Sequence, residues 1–343
     1  MEVVHDWTMH TERLTLRPLR PDDAELFAAY RNHDDVARHQ DWDIPFTIEA
    51  AQNFIAGQAQ RGWPSPGDWL QIAVEHEGRL AGDVGAGWSG NGRRASIGYT
   101  LAPDRQGRGL ATEAVAAVVD RLLADDVRRI DATLDPDNVA SMRLLERLGF
   151  EYEGQQAGAA LVRGEWLDDV LYGLTPARRK AWVARDRTRP AVVELREITA
   201  QTAGTFRKLA THHSQERMVA TVAGSYEDAL FPGKDDDGGT VRPWFRGIYA
   251  DGEPVGFVMV AGVTATNADP YLWRLLIDGY HQERGIGTQV VAALVDRYRA
   301  AGCNKFYVSW MPGPGSPGPF YERLGFAPTG EMDEDEVVAA LDL

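Results

Sequence analysis

Apolar residues recur at helical spacing twice along this 343-residue chain: Leu110, Ala114, Val118 and Leu122, then Ile286, Val290, Leu294 and Tyr298. Each set predicts an amphipathic helix, and each follows a strand-like run, 95–101 and 271–277. Alternation and turn residues extend the first half. They predict an edge strand at 14–19, a helix from Pro21 to Asn32, and a helix capped by Thr47 to about Gln58. Strands 69–75 and 80–88 follow around a Glu77-Gly78 turn. After the amphipathic helix come strand 129–134, helix 141–148 and a strand pair closing near Leu174. The second half repeats the order with strand 193–197, helix 200–211, a looser segment 213–242, and strands 245–250 and 255–261. Then come strand, amphipathic helix, strand 304–310, a helix to Leu324 and two closing strands. The pattern predicts an α/β chain of two similar domains.

The repetition is also literal. Gln106-Gly107-Arg108-Gly109-Leu110-Ala111 returns as Gln282-Glu283-Arg284-Gly285-Ile286-Gly287, and Leu148-Gly149-Phe150 returns as Leu324-Gly325-Phe326, both offset by 176 residues. Two motifs in one register indicate a tandem duplication. Glycines at a strand-to-helix turn let backbone N–H groups converge on the positive end of the helix dipole, which makes an anion site suited to a pyrophosphate. A Walker loop is excluded because Gly109 and Gly285 are followed by Leu110 and Ile286, not by Lys. A dinucleotide fingerprint is not completed in either copy.

These turns, their flanking strands and the later Leu-Gly-Phe resemble the GNAT superfamily of acyl-CoA-dependent N-acetyltransferases over nearly the whole chain. The resemblance implies two tandem GNAT domains, each a mixed, centrally splayed β-sheet flanked by helices. Residues 1–178 are similar to the RimJ/RimL type through Thr11–Leu19, Ile97-Gly98-Tyr99, Asn138-Val139-Ala140-Ser141 and the motifs above. Residues 191–343 look like the diamine and spermidine acetyltransferase type through 245–257, Leu272-Trp273-Arg274 and Phe320-Tyr321. Residues 179–190 form an Arg-rich linker between them.

The family likeness also implies site residues. Acetyl-CoA would be the acyl donor, its pyrophosphate held by Gln106, Gly107, Arg108, Gly109, Leu110 and Ala111, and by Gln282, Glu283, Arg284, Gly285, Ile286 and Gly287. Leu101, Leu275 and Ile277 lie on the strands that would meet the pantetheine arm, and Asn138 would contact CoA. Tyr321 stands where similar enzymes protonate the CoA sulfur. The first copy has Leu145 there and keeps Ser141 as the alternative donor, while Pro314 and Pro317 replace Asn138 and Ser141 in the second. A general base is not identified: Ser96 occupies a frequent glutamate position, and Asp278 near the second splayed strand reads as structural. The expectation is acetyl transfer to a primary amine, with the C-terminal domain the catalyst. Acceptors would be a polyamine, an amine antibiotic or a peptide N-terminus. Alternatives are a non-catalytic acyl-CoA-binding scaffold and a transferase for longer acyl-CoA.

Composition refines this picture modestly. The net charge is −15, with both halves acidic, which disfavours nucleic acid as partner and suits a cationic acceptor. Cys303 is the sole cysteine, so no internal disulfide forms and a reducing compartment fits. No apolar run spans a bilayer and no leader is visible, so a cytoplasmic protein without membrane partner is expected. Eight scattered histidines give no metal spacing, and no metal is expected. The stretch 233–239 reads as a solvated acidic loop. The fused pair could itself stand in for a dimer, leaving the protein monomeric.

Overall fold

A computed structural model describes residues 7–59, 61–63, 65–233, 240–261 and 269–343. The chain divides into two compact units, Met1–Ala184 and Arg185–Leu343. Apart from Gly233, the acidic stretch 233–239 lies outside the described residues.

The first unit runs β1 (Met9–His10), β2 (Leu14–Pro18), α1 (Ala24–Arg31), α2 (Asp34–Ala37), α3 (Ile48–Gln58), β3 (Trp69–His76), β4 (Arg79–Trp88) and β5 (Arg94–Leu101). It continues with α4 (Leu110–Ala124), β6 (Arg129–Leu134), α5 (Val139–Leu148), β7 (Glu151–Val162), β8 (Glu165–Leu174) and α6 (Pro176–Ala184). Its sheet has the order β1-β2-β3-β4-β5-β6-β8-β7. All pairs are antiparallel except β5 with β6. That parallel pair holds only at Arg94↔Arg129, Ala95↔Ile130 and Ser96↔Asp131, so the two strands separate beyond Ser96 and open the sheet at its centre. The edge differs from expectation: β2 is covered by β1 through Met9↔Leu16 and His10↔Thr15.

The second unit comprises β9 (Val193–Arg196), α7 (Ala203–Phe206), α8 (Val222–Leu230), β10 (Trp244–Ala250), β11 (Glu253–Ala261), β12 (Tyr271–Ile277), α9 (Ile286–Ala300), β13 (Lys305–Trp310), α10 (Gly318–Arg323), β14 (Ala327–Asp333) and β15 (Glu336–Asp342). Its order, β14-β15-β13-β12-β11-β10-β9, repeats that of the first sheet, and its parallel pair β12–β13 is held only at Tyr271↔Tyr307 and Leu272↔Val308. Each unit is therefore a mixed, centrally splayed sheet with helices on both faces. Apolar clusters lie on each face. In the first unit one is built around α4 and α5 and another around α1 and α3; in the second, one lies around α9 and the other around Phe206, Phe257 and Met259.

The helical stripes bury as the spacing requires. Leu110, Ala114, Val118 and Leu122 are almost fully buried, as are Ile286, Val290 and Leu294. The helix expected over 200–211 is reduced to α7. Both backbone groups of Ala210 are taken by the turn after β12, its N–H by Asp278 Oδ2 at 3.2 Å and its carbonyl by Gly279 N at 2.9 Å, so no helical ladder can run through it. Conversely, α8 forms inside the stretch expected to be loose, with Thr221 Oγ1 accepting from Gly224 N at 3.1 Å as its N-cap.

The Arg-rich linker is not free chain as far as Ala184. Its first part lies in α6, where Arg179 grips Asp120 with two bonds of 2.8 and 3.0 Å and donates to the Leu148 carbonyl at 2.9 Å. Trp182 is 2% exposed and donates through Nε1 to the Arg147 carbonyl at 2.8 Å. Thus α6 closes over the end of α5 and belongs to the first unit. The repeated Leu-Gly-Phe is a helix stop. Gly149 and Gly325 have φ of +90° and +95°, and the N–H groups of Phe150 and Phe326 reach back to the Leu145 and Tyr321 carbonyls.

Candidate active site

The two glycine turns share one construction. Gln106 Nε2 donates to the Leu101 carbonyl at 3.0 Å, and Gln282 Nε2 donates to the Ile277 carbonyl at 3.0 Å. The motif glutamine thus latches the turn to the preceding strand. Gly109 and Gly285 stand at the helix N-caps with φ of +75° and +73°. The first ladder bonds run from Glu113 N to the Gly109 carbonyl and from Gln289 N to the Gly285 carbonyl. The three preceding N–H groups of each helix, at 110–112 and 286–288, are left for an anion. Gly107 (φ +72°) is matched by Glu283 at φ +65°, so the second copy bends a side-chain-bearing residue into the conformation that glycine adopts freely.

What secures each turn differs. Glu113, in the first turn of α4, accepts from Thr11 Oγ1 at 2.5 Å, Arg13 N at 2.8 Å and Arg13 Nε at 2.7 Å, and Arg13 Nη1 donates to the Arg108 carbonyl at 2.9 Å. Burial alone would raise the Glu113 pKa, but these hydrogen bonds and the Arg13 charge bring it below the usual value. In the second copy Gln289 replaces the glutamate. There Arg284, 7% exposed, turns away from the helix mouth to bond Asp186 at 2.8 Å and the Thr188 carbonyl at 3.0 Å. The guanidinium is thus engaged inside its own unit.

In the first unit Leu101, Gln106, Gly107, Gly109, Leu110, Ala111, Asn138 and Ser141 line one cleft of about 480 Å³, with Arg105, Arg143 and Arg147 on its walls. Arg108 is not among the lining residues. Asn138 caps α5, its Oδ1 accepting from Ser141 N at 3.1 Å, and Tyr99 Oη donates to the Ser141 carbonyl at 3.1 Å. That bond ties the splayed strand β5 to α5. Burial raises the Tyr99 pKa far above the ordinary tyrosine value, while its bond to Ser141 lowers it only in part.

A second cleft of about 690 Å³ lies across β5, and His39, Gln40, Tyr99 and Thr100 line both. Its aromatic wall includes Trp42, Phe46, Phe54 and Trp69. Trp69 lies flat on a glycine floor, since a Cβ at Gly85 or Gly87 would stand 2.2 and 2.5 Å from its ring. Arg31 is sunk at the back, 4.1 Å from the Phe27 ring and 4.2 Å from that of Trp42, and pairs with the buried Asp83 at 3.4 Å. Asp83 also accepts from Tyr30 Oη and Gln71 Nε2. Asp169 has its carboxyl pushed above the usual range by burial and by the nearby Asp135 and Asp41. Ser96 lines this cleft as well. The sequence reading missed Arg13, Glu113, His39, Trp69 and Asp135. Only Glu113, an acid in the first turn of a predicted helix, carried a local signal.

In the second unit Tyr321 is 7% exposed, stacked on Trp310 at 5.8 Å and set edge-on to Phe320 and Phe326. Burial, with Glu336 adding to it, raises its pKa far above the ordinary tyrosine value, so the hydroxyl keeps its proton. Leu275 and Ile277 pack against the core of that unit. Pro314 and Pro317 leave α10 six residues long, without an asparagine cap or the tyrosine tie of the first copy, whose place Leu275 takes. Asp278 is structural: it accepts from Tyr280 N at 3.1 Å and Ala210 N at 3.2 Å. Among the described residues no group of three or more His, Cys, Asp or Glu is placed to hold a metal, and no helix is long and apolar enough to cross a membrane.

Comparison with known proteins agrees with this architecture. The model "Acetyltransferase (GNAT) domain" matches residues 13–151, and "Acetyltransferase (GNAT) family" matches 208–326. The uncharacterized N-acetyltransferase p20 of Bacillus licheniformis is 30% identical over 171 residues, covering 49% of this chain and 95% of that protein. The probable N-acetyltransferase YjcK of Bacillus subtilis (strain 168) is 33% identical over 172 residues, 47% and 93% of the two chains. The [ribosomal protein uS5]-alanine N-acetyltransferase of Escherichia coli (strain K12) is 40% identical over 80 residues, 23% and 41%. Among solved structures, RimJ of Mycobacterium smegmatis in complex with CoA-disulfide aligns at 28% identity and a TM-score of 0.44, covering 48% of this chain and 82% of that one. The chain belongs to the GNAT acetyltransferase family and carries two GNAT domains in tandem.

Proposed function

We propose that the N-terminal unit is an acetyl-CoA-dependent N-acetyltransferase for a primary amine. One observation carries this reading: two clefts, one at the glycine turn and one with aromatic and acidic walls, meet at Tyr99 and Thr100 on the splayed strand. The donor cleft suits the pyrophosphate of CoA, for it joins the free N–H groups at 110–112 to Arg105, Arg143 and Arg147. Gln106, Gly107, Gly109 and Ala111 shape that cradle, and Arg108 contributes through its backbone. Bound acetyl-CoA supplies the activated acyl group. Ser141, capped by Asn138 and tied to Tyr99, is the proton donor to the leaving sulfur. The acceptor enters the second cleft, whose acidic groups favour a cation. The relative named for ribosomal protein uS5 alanine supports a peptide α-amine as one candidate, beside polyamines and amine antibiotics.

A second reading keeps the C-terminal unit as the catalyst. It is favoured by Tyr321, whose hydroxyl is held protonated and could serve the sulfur. In that case Gln282–Gly287 cradles the phosphates and Leu275 and Ile277 flank the pantetheine arm. Thiol release from acetyl-CoA across an amine panel tests both readings in intact protein and in Tyr321→Phe. Under the first, Tyr321→Phe keeps at least half of the turnover; under the second it loses most of it. Acetyl-CoA binding with no amine-dependent thiol release would favour a scaffold instead.

A further inference from the structure

This inference rests on the N-terminal unit being the transferase. Of the four residues lining both clefts, His39 alone carries an imidazole, a side chain able to serve as a general base. It lies in the chain just after α2, and its Nδ1 is 2.6 Å from Asp135 Oδ2. Asp135 is fixed in turn, with Oδ1 accepting from Asp137 N at 2.8 Å and its carbonyl from Asn138 N at 2.9 Å. The histidine partner is thereby built into the same turn that opens α5 and presents Ser141. The backbone on either side of His39 is held from elsewhere. Arg163, at the turn between β7 and β8, donates through Nη2 to the carbonyls of Ala37 and Gln40, the latter at 2.9 Å. The charged groups lining the two clefts with His39 include Asp35, Arg38 and Asp41 from the same segment, Asp168 and Asp169 from β8, and Arg143 and Arg147 from α5. Nothing in helix or strand periodicity would mark His39, yet two long-range contacts hold it, Asp135 on its ring and Arg163 on the carbonyls of Ala37 and Gln40.

We propose that His39 is the general base of acetyl transfer, with Asp135 and Arg163 as positioning residues. Asp135 accepts the Nδ1–H, which leaves the Nε2 lone pair for the acceptor. The incoming ammonium gives one proton to Nε2. The freed nitrogen pair forms the C–N bond at the thioester carbonyl, and the C–S bond breaks with its electron pair going to sulfur. The second proton on nitrogen passes to that sulfur, through Ser141, giving CoASH. His39 then returns its proton to solvent, so ammonium and acetyl-CoA become amide, CoASH and one H⁺.

The test uses the full chain and an amine found to be turned over. His39→Gln should bind acetyl-CoA within about threefold of wild type by titration, yet lose roughly 10²–10³ in kcat/KM for the amine. It should also lose the acid limb of the pH profile. Because a substitution in this loop could disturb folding, His39→Gly is assayed with added imidazole, which should restore turnover. Arg163→Ala should lower kcat about tenfold, and Arg163→Lys, which keeps a donor, should recover most of it. Asp135→Asn should shift the pH profile without weakening acetyl-CoA binding. Retention of wild-type kcat/KM and of the acid limb in His39→Gln overturns the assignment, as does failure of imidazole to rescue His39→Gly. Failure of the wild-type chain to acetylate any amine would instead overturn the underlying reading, and this one with it.

Discussion

Replacing Gly149 with alanine separates the structural from the functional meaning of the repeated Leu-Gly-Phe motif. Both motif glycines stop a helix in the left-handed region, at φ +90° for Gly149 and +95° for Gly325, and alanine there costs about 1–2 kcal/mol from its own Cβ. Their surroundings differ. A Cβ at Gly149 would lie 2.5 Å from Trp182 Cγ and 2.7 Å from its Cβ, whereas one at Gly325 would meet only the end of the Leu341 side chain, at 3.2 Å. Trp182 cannot swing aside, because its ring is buried and anchored through Nε1 to the Arg147 carbonyl. Overpacking of that kind adds about 1–3 kcal/mol. Gly149→Ala is therefore expected to cost roughly 2–5 kcal/mol and Gly325→Ala roughly 1–2 kcal/mol. Two units need not unfold together, so a single denaturation midpoint is a poor readout. Hydrogen exchange of the amides in α5 and α10 reports each stop locally. In a Trp182→Ala background the overlap with the ring is gone and only that with the Cβ, at 2.7 Å, remains, so Gly149→Ala should then cost less than in the wild-type chain. Equal losses at the two glycines, or strict additivity with Trp182→Ala, would refute the claim that α6 is packed down on the end of α5.

Two further predictions concern pH. Glu113 has a depressed pKa because hydrogen bonds from Thr11 and Arg13 outweigh its burial. Its contribution is therefore present above the unfolded value of about 4.3 and lost as pH falls through the lower folded value. Glu113→Gln should cost about 1–2 kcal/mol at pH 7, and thermal melts of the two proteins should converge only as pH falls below that lowered folded value. Asp169 has the opposite shift, raised by burial and by Asp135 and Asp41, so its ionisation disfavours the folded state once pH exceeds the unfolded value of about 3.9. Asp169→Asn should raise Tm by about 1–3 °C at pH 7 and leave it unchanged near pH 3; a lowered Tm at pH 7 would count against this.

Much of the fold was legible because its carriers are periodic. The stripes of α4 and α9, the strand runs before them and the paired glycine turns all read directly from residue spacing, and their burial follows it. What failed was set by tertiary bonds. Asp278 and Gly279 claim Ala210 and end the helix expected at 200–211, while α6 turns an Arg-rich stretch into the cap of α5. The same holds for the candidate site. The donor turn is local and was visible; Gln106 and Gln282 occur at fixed offsets from the strands they latch. Arg13, separated from Glu113 by 100 residues, and His39, separated from Asp135 by 96, have no local pattern to announce them. The partner of Arg284 was equally hidden: its guanidinium pairs with Asp186, 98 residues earlier.

The central claim is that chemistry runs from the first glycine turn. Ala111→Glu and Gly287→Glu each place a carboxylate at a helix mouth without left-handed strain, where it should repel a pyrophosphate but not the helix. Amine-dependent thiol release should fall by about 100-fold or more in Ala111→Glu, the cost of roughly 2.7 kcal/mol of lost acetyl-CoA binding, and stay within about threefold in Gly287→Glu. Turnover preserved in Ala111→Glu and lost in Gly287→Glu would contradict the account and move the active site to the second unit.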